Sequence, residues 1–250
     1  MMNPAEFANI AEAEQGLWWY RGMRRILMRV LDPWLKGREV RRVLEAGCGT
    51  GYFARVLERE RGWRVYPSDV AWEGLSFARG MGLERLSQAD LRALPFRSGA
   101  FDMVLSVDVL EHFTPGEEAG PLRELVRVLA PGGVLVLRTP ALEALRSRHS
   151  EFVLERQRFT RGRLLGAIRG CGVRVLRCTY ASFLLLPVAL LKFRLWEPLF
   201  RTPPASGVKP VAGWLDRLLY GCLAAEAAWL GGNLDFPAGQ TLILIAEKTA

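Results

Sequence analysis

The chain has 250 residues, half of them apolar, with 34 Lys and Arg against 26 Asp and Glu and a formal net charge of +8. That is apolar mass enough for one domain, or a domain plus a cap, with a sizeable core. No basic stretch followed by an apolar run opens the chain as a secretory signal would, and Cys48, Cys171, Cys178 and Cys222 lack metal-ligand spacing, so a reduced cytoplasmic protein without metal is expected.

Residues 5–31 read as helical and hold Trp18, Trp19, Tyr20 and Arg21, then Arg24 and Arg25. The stretch 42–53, Arg-Val-Leu-Glu-Ala-Gly-Cys-Gly-Thr-Gly-Tyr-Phe, is a short apolar strand that ends in an acid, Glu45, and three alternate glycines. Gly47, Gly49 and Gly51, with Cys48 among them, let the backbone turn tightly and approach a ligand closely. A helix over 52–60 would aim its first amides at that ligand. The spacing is not that of a dinucleotide fold, because the third glycine comes one residue early, and no Lys-Ser/Thr follows as in a phosphate-binding loop. A carboxylate at Glu45 would repel a pyrophosphate but suits a ligand with a cationic end.

The run Glu-x-Gly-x-Gly-x-Gly resembles the first motif of class I S-adenosylmethionine-dependent methyltransferases. The resemblance covers about residues 40–180 and 238–248. It implies S-adenosylmethionine as cofactor, held by Glu45, Gly47, Cys48, Gly49 and Gly51. A second strand, 63–69, ends in Asp69, 18 residues after Gly51. That is close to the separation expected of a carboxylate that grips a ribose, and the resemblance gives Asp69 that role, with Val70 beside it; the other reading of Asp69 is an N-cap for the helix at 71–80. A third acid, Asp90, with the amide of Leu91, falls where the family meets the adenine; an ordinary loop aspartate is the alternative. The strand 102–107 leads through Ser106 and Val107 to Leu110-Glu111-His112, a tail often found in family members that act on small molecules and lipids. The Asn/Asp-Pro-Pro-aromatic tetrapeptide of many enzymes that methylate amino groups of nucleic acids and proteins is missing.

The apolar runs 42–46, 63–67, 86–89, 102–107 and 133–138 alternate with helical patterns at 52–60, 71–80 and 118–129. Pro131-Gly132-Gly133 stops the helix before the fifth strand, Thr160 caps a further helix, and 173–177 and 241–246 supply strands six and seven. The expected fold is α/β: a doubly wound, mainly parallel, seven-stranded Rossmann-like sheet. Ligands bind such sheets at the carboxyl ends of the strands, where Glu45, Asp69, Asp90 and Ser106 all fall. The expected division is an N-terminal helical lid, 1–35, a cofactor-binding core, 36–180 and 237–250, and a helical cap inserted at 181–236.

Methyl transfer needs alignment, exclusion of water and, for a hydroxyl or acidic carbon, removal of a proton. His112 and His149 are the only histidines of the chain and thus the candidate catalytic bases, His112 better placed at a strand end; orienting the loop or capping a helix is the structural alternative. By analogy with similar N-terminal helices, Tyr20 and Arg24 would close over the cofactor, an arginine reaching its carboxylate. The aromatics equally suit packing of the helix on the sheet.

Residues 181–236 hold an apolar run from Phe183, the linker 202–207 and an apolar helix over 211–230; the first run is too short to span a bilayer and is broken by Pro187. Residues 141–230 carry 14 Lys and Arg against 6 Asp and Glu, so nearly all of the net charge lies there. A basic, apolar cap favours a small-molecule or lipid-like, anionic acceptor, with attack by oxygen or carbon, and contact of 181–236 with an anionic membrane surface. Nucleic acid is disfavoured, since aromatic and basic residues do not interleave as in RNA-binding modules. An RNA or protein methyltransferase is the alternative, and a non-catalytic binding module the second.

Overall fold

A computed structural model describes residues 2–201 and 203–249. Met1, Thr202 and Ala250, outer residues of the expected lid, linker and core segments, lie outside the described residues.

Seven strands form one sheet in the order β3-β2-β1-β4-β5-β7-β6. β1 (Arg42–Ala46) is central, parallel to β2 (Arg64–Asp69) on one side and β4 (Phe101–Val107) on the other. β3 (Ser87–Gln88) extends the β2 edge, and β5 (Leu129–Pro140) runs parallel to β4. β7 (Thr241–Lys248) lies antiparallel between β5 and β6 (Val173–Ala181). The parallel part switches direction of growth at β1 and β4, which opens a crevice at their carboxyl ends. β5 begins earlier than the apolar run 133–138 implies, because Leu129 also pairs with Phe101 across an irregularity before Val134.

Side-chain alternation along the strands builds two cores. Leu44, Val104, Leu135 and Leu244 meet α5 (Ala119–Val128) and α7 (Arg161–Ile168) through Leu122, Leu125, Leu164 and Ile168. Val43, Met103, Val136 and Ile245 face the other layer, with α3 (Tyr52–Arg61), α4 (Trp72–Gly80) and two long helices, α2 (Trp18–Leu35) and α10 (Gly213–Gly231). Thr160 caps α7, its side chain accepting from the Arg163 amide at 3.3 Å. The short helix α6 (Arg148–Phe152) follows β5 and carries His149.

Two segments differ from the expected lid and cap. The helical pattern over 5–31 breaks at residues 14–17, between α1 (Ala5–Ala13) and α2. Glu14 is held there by its own contacts: its carbonyl accepts from Arg24 at 2.5 Å and its carboxylate from Thr50. Of this N-terminal segment, α1, the break at 14–17 and the first turns of α2 border the crevice. The rest of α2, through Met23, Ile26, Leu27 and Val30, is core.

The expected cap also divides. α8 (Leu186–Leu191), a π-helical turn (Lys192–Trp196) and α9 (Glu197–Leu199) run on without a break and lie over the crevice. α10 instead buries Leu223, Ala227 and Leu230 beside α2. A Cβ on Gly22 would stand 2.4 Å from Leu223 Cδ1, so the glycine lets the two helices approach this closely. An apolar pattern reports that a helix is buried, not on which side of the sheet it is buried, and so the sequence could not separate α10 from the cap.

Candidate functional site

The carboxyl ends of β1, β2 and β4 open into one continuous cavity of about 1120 Å³, bounded by α1, the start of α2, α8 and the loop 203–211. Its walls include all the residues expected to bind a cofactor except Gly51 and Ser106, together with both histidines. Ser106 is buried just behind, its hydroxyl without a hydrogen-bond partner among the described residues.

The glycine turn forms as its sequence implies, but the three glycines serve different ends. Gly47, Gly49 and Gly51 have φ of +82°, +55° and +78°, in the left-handed region that favours glycine. A Cβ on Gly47 would lie 2.2 Å from Val109 Cγ2, and one on Gly51 2.6 Å from Ala78 Cβ. Those two are small because protein packs on them. Gly49 has nothing within 4 Å of that position and lines the cavity, so its bareness serves the ligand side.

Asp69 ties the turn to the next helix. Its Oδ2 accepts from the Gly49 amide and its Oδ1 from the Ala71 amide, both at 2.8 Å. It is buried, and burial pushes its carboxyl up from the ordinary range against the pull of those amides. The side chain does not cap α4, whose N-cap position is Ala71. Asp90 is more open and forms a two-pronged pair with Arg92 that holds its carboxyl below the usual range. Leu91 is buried beside it, and Val70 is part-exposed at the rim.

Glu45 is 3% exposed, and among the described residues its Oε2 has no hydrogen-bond partner. Burial first, then the neighbouring Glu14 and Asp69, push its carboxyl up to about 8. Glu14 is itself raised to about 7 by burial, while its carboxylate receives the Thr50 hydroxyl at 2.6 Å. Three acids thus converge on one end of the cavity with too little positive charge to balance them. Sequence reading missed Glu14, which lies outside the sheet and reaches the turn only through the N-terminal segment. Of the expected lid residues, Arg24 stands over the Tyr52 ring at 4.9 Å and Tyr20 is pushed up by burial and by Glu6 and Glu14.

The opposite end follows β4. Asp108 turns the chain with φ +54° and pairs with Arg138, which is buried. Leu110–His112 form a 3-10 turn that buries Glu111, whose Oε2 lacks a partner among the described residues and whose carboxyl burial pushes well up. Glu111 is a second residue that sequence reading passed over, although it sits in the motif. Burial lowers His112 to about 4, and its Nδ1 lies 3.5 Å from the Leu154 carbonyl. His149 is likewise lowered by burial. Its Nδ1 accepts from the Gly207 amide at 2.9 Å, so the ring proton resides on Nε2.

A family profile described as a methyltransferase domain matches residues 44–137. The match spans β1 to β5 and therefore the whole floor of the cavity. Over these residues the chain carries a methyltransferase domain. A malonyl-[acyl-carrier protein] O-methyltransferase of Enterobacter lignolyticus is 37% identical over 112 residues, 44% of this chain and 43% of that protein. A demethylmenaquinone methyltransferase of Thermus thermophilus is 45% identical over 103 residues, 39% of this chain and 46% of that protein. The chain thus spans less than half the length of these relatives. In fold it is similar to the protein solved with the Haloferax volcanii Trm112 methyltransferase activator, with a TM-score of 0.61, 20% identity and 98% of each chain covered.

The residues present fit S-adenosylmethionine, the cofactor of this family. It carries two cationic groups, the sulfonium and the amino group, and the acid-rich end of the cavity supplies Glu45 with a free oxygen, Asp69 and Glu14. A cation there would lower both raised carboxyls and release protons. Affinity should therefore rise between pH 6 and about 8, by up to tenfold per unit for one proton released, until the ligand's own amino group begins to lose its charge. Calorimetry across that range in E45Q should show a shallower slope, with the share of Glu14 remaining; an equally steep slope in the variant would reject Glu45 as a source. In the absence of ligand the same raised carboxyls lower stability as the pH rises from about 4.5 to about 8, because the folded state there holds protons that the unfolded chain has released.

Proposed function

We propose that this protein transfers a methyl group from S-adenosylmethionine to a small-molecule or lipid-like, anionic acceptor, with oxygen or carbon as the attacking atom. The observation that carries the reading is the acceptor end of the cavity. Arg156, Lys192 and Lys209 line it, and among the described residues none of the three pairs with a carboxylate; Arg148 and Arg158, by contrast, pair with Glu151 and Glu155. Phe193, Trp196 and Val188 stand between them. Cations without a carboxylate partner beside apolar walls suit an acid group on an apolar body. The volume agrees, since about 1120 Å³ exceeds the upper range of an ordinary single-ligand pocket.

Glu45, Gly49, Asp69, Asp90 and the Leu91 amide would hold the cofactor, with Tyr20 and Arg24 over it, and the cofactor supplies an activated methyl. The rest of the site aligns the acceptor and keeps water out. His112, neutral above about pH 4, can accept a proton on a ring nitrogen from an acceptor hydroxyl. His149 is less suited to that role, because its Nδ1 is engaged by Gly207 and its Nε2 carries the proton. His112→Ala should lower kcat about a hundredfold while cofactor affinity, read by calorimetry, stays within about twofold. If kcat is unchanged, His112 only shapes the loop.

The acceptor class is tested by transfer of labelled methyl to fractionated extracts. Label in an acidic lipid or small-molecule fraction supports the proposal. Label confined to RNA or protein fractions would replace it with a macromolecular acceptor, and cofactor binding without transfer to any fraction would leave a binding module.

A further inference from the structure

The helix that covers the cavity is built inside out. From Leu186 to Leu199, α8, the π-helical turn and α9 form one continuous rod. Its inward side carries Ala189 and Glu197, both buried, the latter accepting from the Arg148 amide at 2.9 Å. Its outward side carries Val188, Leu191, Leu195 and Leu199 at helical spacing, 60%, 59%, 61% and 75% exposed. Leu184, Trp196 and Phe200 extend this face and are also about half exposed. A helix of a water-soluble domain turns its leucine stripe inward; one with the stripe outward has an apolar surface to meet.

Charge says which surface. Residues 184–215 carry Lys192, Arg194, Arg201 and Lys209 against one acid, Glu197, and that acid faces inward. Lys192 and Lys209 line the cavity, so the exposed face takes its positive charge from Arg194 and Arg201, around a core of leucine, tryptophan and phenylalanine. A second copy of the chain laid on it would bring like charges together. Anionic head groups over acyl chains complement both features at once. Among the described residues no helix is long and apolar enough to cross a membrane, so contact would be with one leaflet.

We propose that the outward face of residues 184–201 docks this protein on anionic lipid bilayers. It narrows the contact expected of 181–236 to the cavity-covering part, the C-terminal half of α10 being packed through Leu223, Ala227 and Leu230 into the core beside α2. Val188 and Trp196 belong to both the docking face and the cavity wall, so docking would set the acceptor end of the cavity against the lipid surface. This deepens the proposed lipid-like acceptor, but membrane binding can be read without cofactor or acceptor and so fails or holds separately.

The test is flotation of the full chain with vesicles of phosphatidylglycerol and phosphatidylcholine in equal parts, against phosphatidylcholine alone. Binding to the mixed vesicles should weaken as salt rises and be at least tenfold weaker on phosphatidylcholine. L191D/L195D should reduce it at least tenfold, since each leucine moved from water into acyl chains is worth about tenfold in partition. Both side chains are exposed and lie outside the cavity wall, so melting temperature and S-adenosylmethionine affinity should be unchanged. Absence of binding to mixed vesicles, or binding that L191D/L195D leaves intact, overturns the proposal. A dimer in sedimentation equilibrium that the same substitutions abolish would overturn it too, by giving the face to a second copy.

Discussion

Gly47→Ala is expected to destabilise the protein by about 3 kcal/mol, and Gly49→Ala by only about 1 kcal/mol while all but abolishing cofactor binding. Both positions have positive φ, which costs a residue with a Cβ about 1 to 2 kcal/mol. At Gly47 the new methyl would also overlap Val109 Cγ2, on a β-branched side chain stiff at χ1. Relief requires the β1 and β4 ends to part, and overpacking of that kind adds about 1 to 3 kcal/mol. At Gly49 the methyl meets no protein atom and occupies the cavity wall instead. Thermal or urea unfolding, set beside calorimetric titration with S-adenosylmethionine, separates the two effects. Equal loss of stability in both variants, or undiminished binding by Gly49→Ala, would contradict this division of roles.

Asp69→Ala should weaken S-adenosylmethionine binding by about a hundredfold or more. The substitution removes the carboxylate proposed to grip the ribose, and loss of a pair of charge-assisted hydrogen bonds is worth on the order of 2 to 4 kcal/mol. It also frees the Gly49 and Ala71 amides, both now bound to the same side chain, so the turn loses the brace that shapes it. Asp69→Asn keeps one acceptor oxygen and should fall between. The two contributions are distinguishable, because loosening of the turn alone would weaken adenosine and S-adenosylmethionine less than it lowers the melting temperature. Unchanged affinity in Asp69→Ala would remove the ribose assignment.

Much of the sheet and of its cofactor end is legible in the order of residues. Strands 42–46, 102–107 and 241–246 are apolar runs buried on both faces, and such runs bounded by glycine or acid leave little freedom of assignment. Glu45, Gly49, Asp69 and Asp90 are legible for a related reason: each lies within a few residues of a strand's end, and strand order then brings the strand ends together. β3 is the weak case, two residues at the edge where pairing on one side only leaves little periodic signal.

The acceptor end is less legible, because its groups come from segments far apart in sequence. His149 reaches Gly207 across 58 residues, and at the cofactor end Glu14 reaches Thr50 across 36. No local pattern encodes such a meeting. His149 stands out in the sequence only as one of two histidines, and His112 also by its place at a strand end; their depressed basicity, and the engagement of His149 Nδ1, follow from burial and a backbone amide that arrive by folding.

By itself the sequence determined the doubly wound sheet, the glycine turn and the phosphate-free, cationic character of the ligand, since these depend on residue order within a strand and the turn that ends it. Only the tertiary structure decided that Gly47 and Gly51 serve packing while Gly49 serves the cavity, that Glu14 completes an acid cluster, and that the C-terminal half of α10 packs into the core while α8 covers the site. Backbone periodicity encodes that a segment has an apolar side; which surface that side meets depends on contacts between elements distant in the chain.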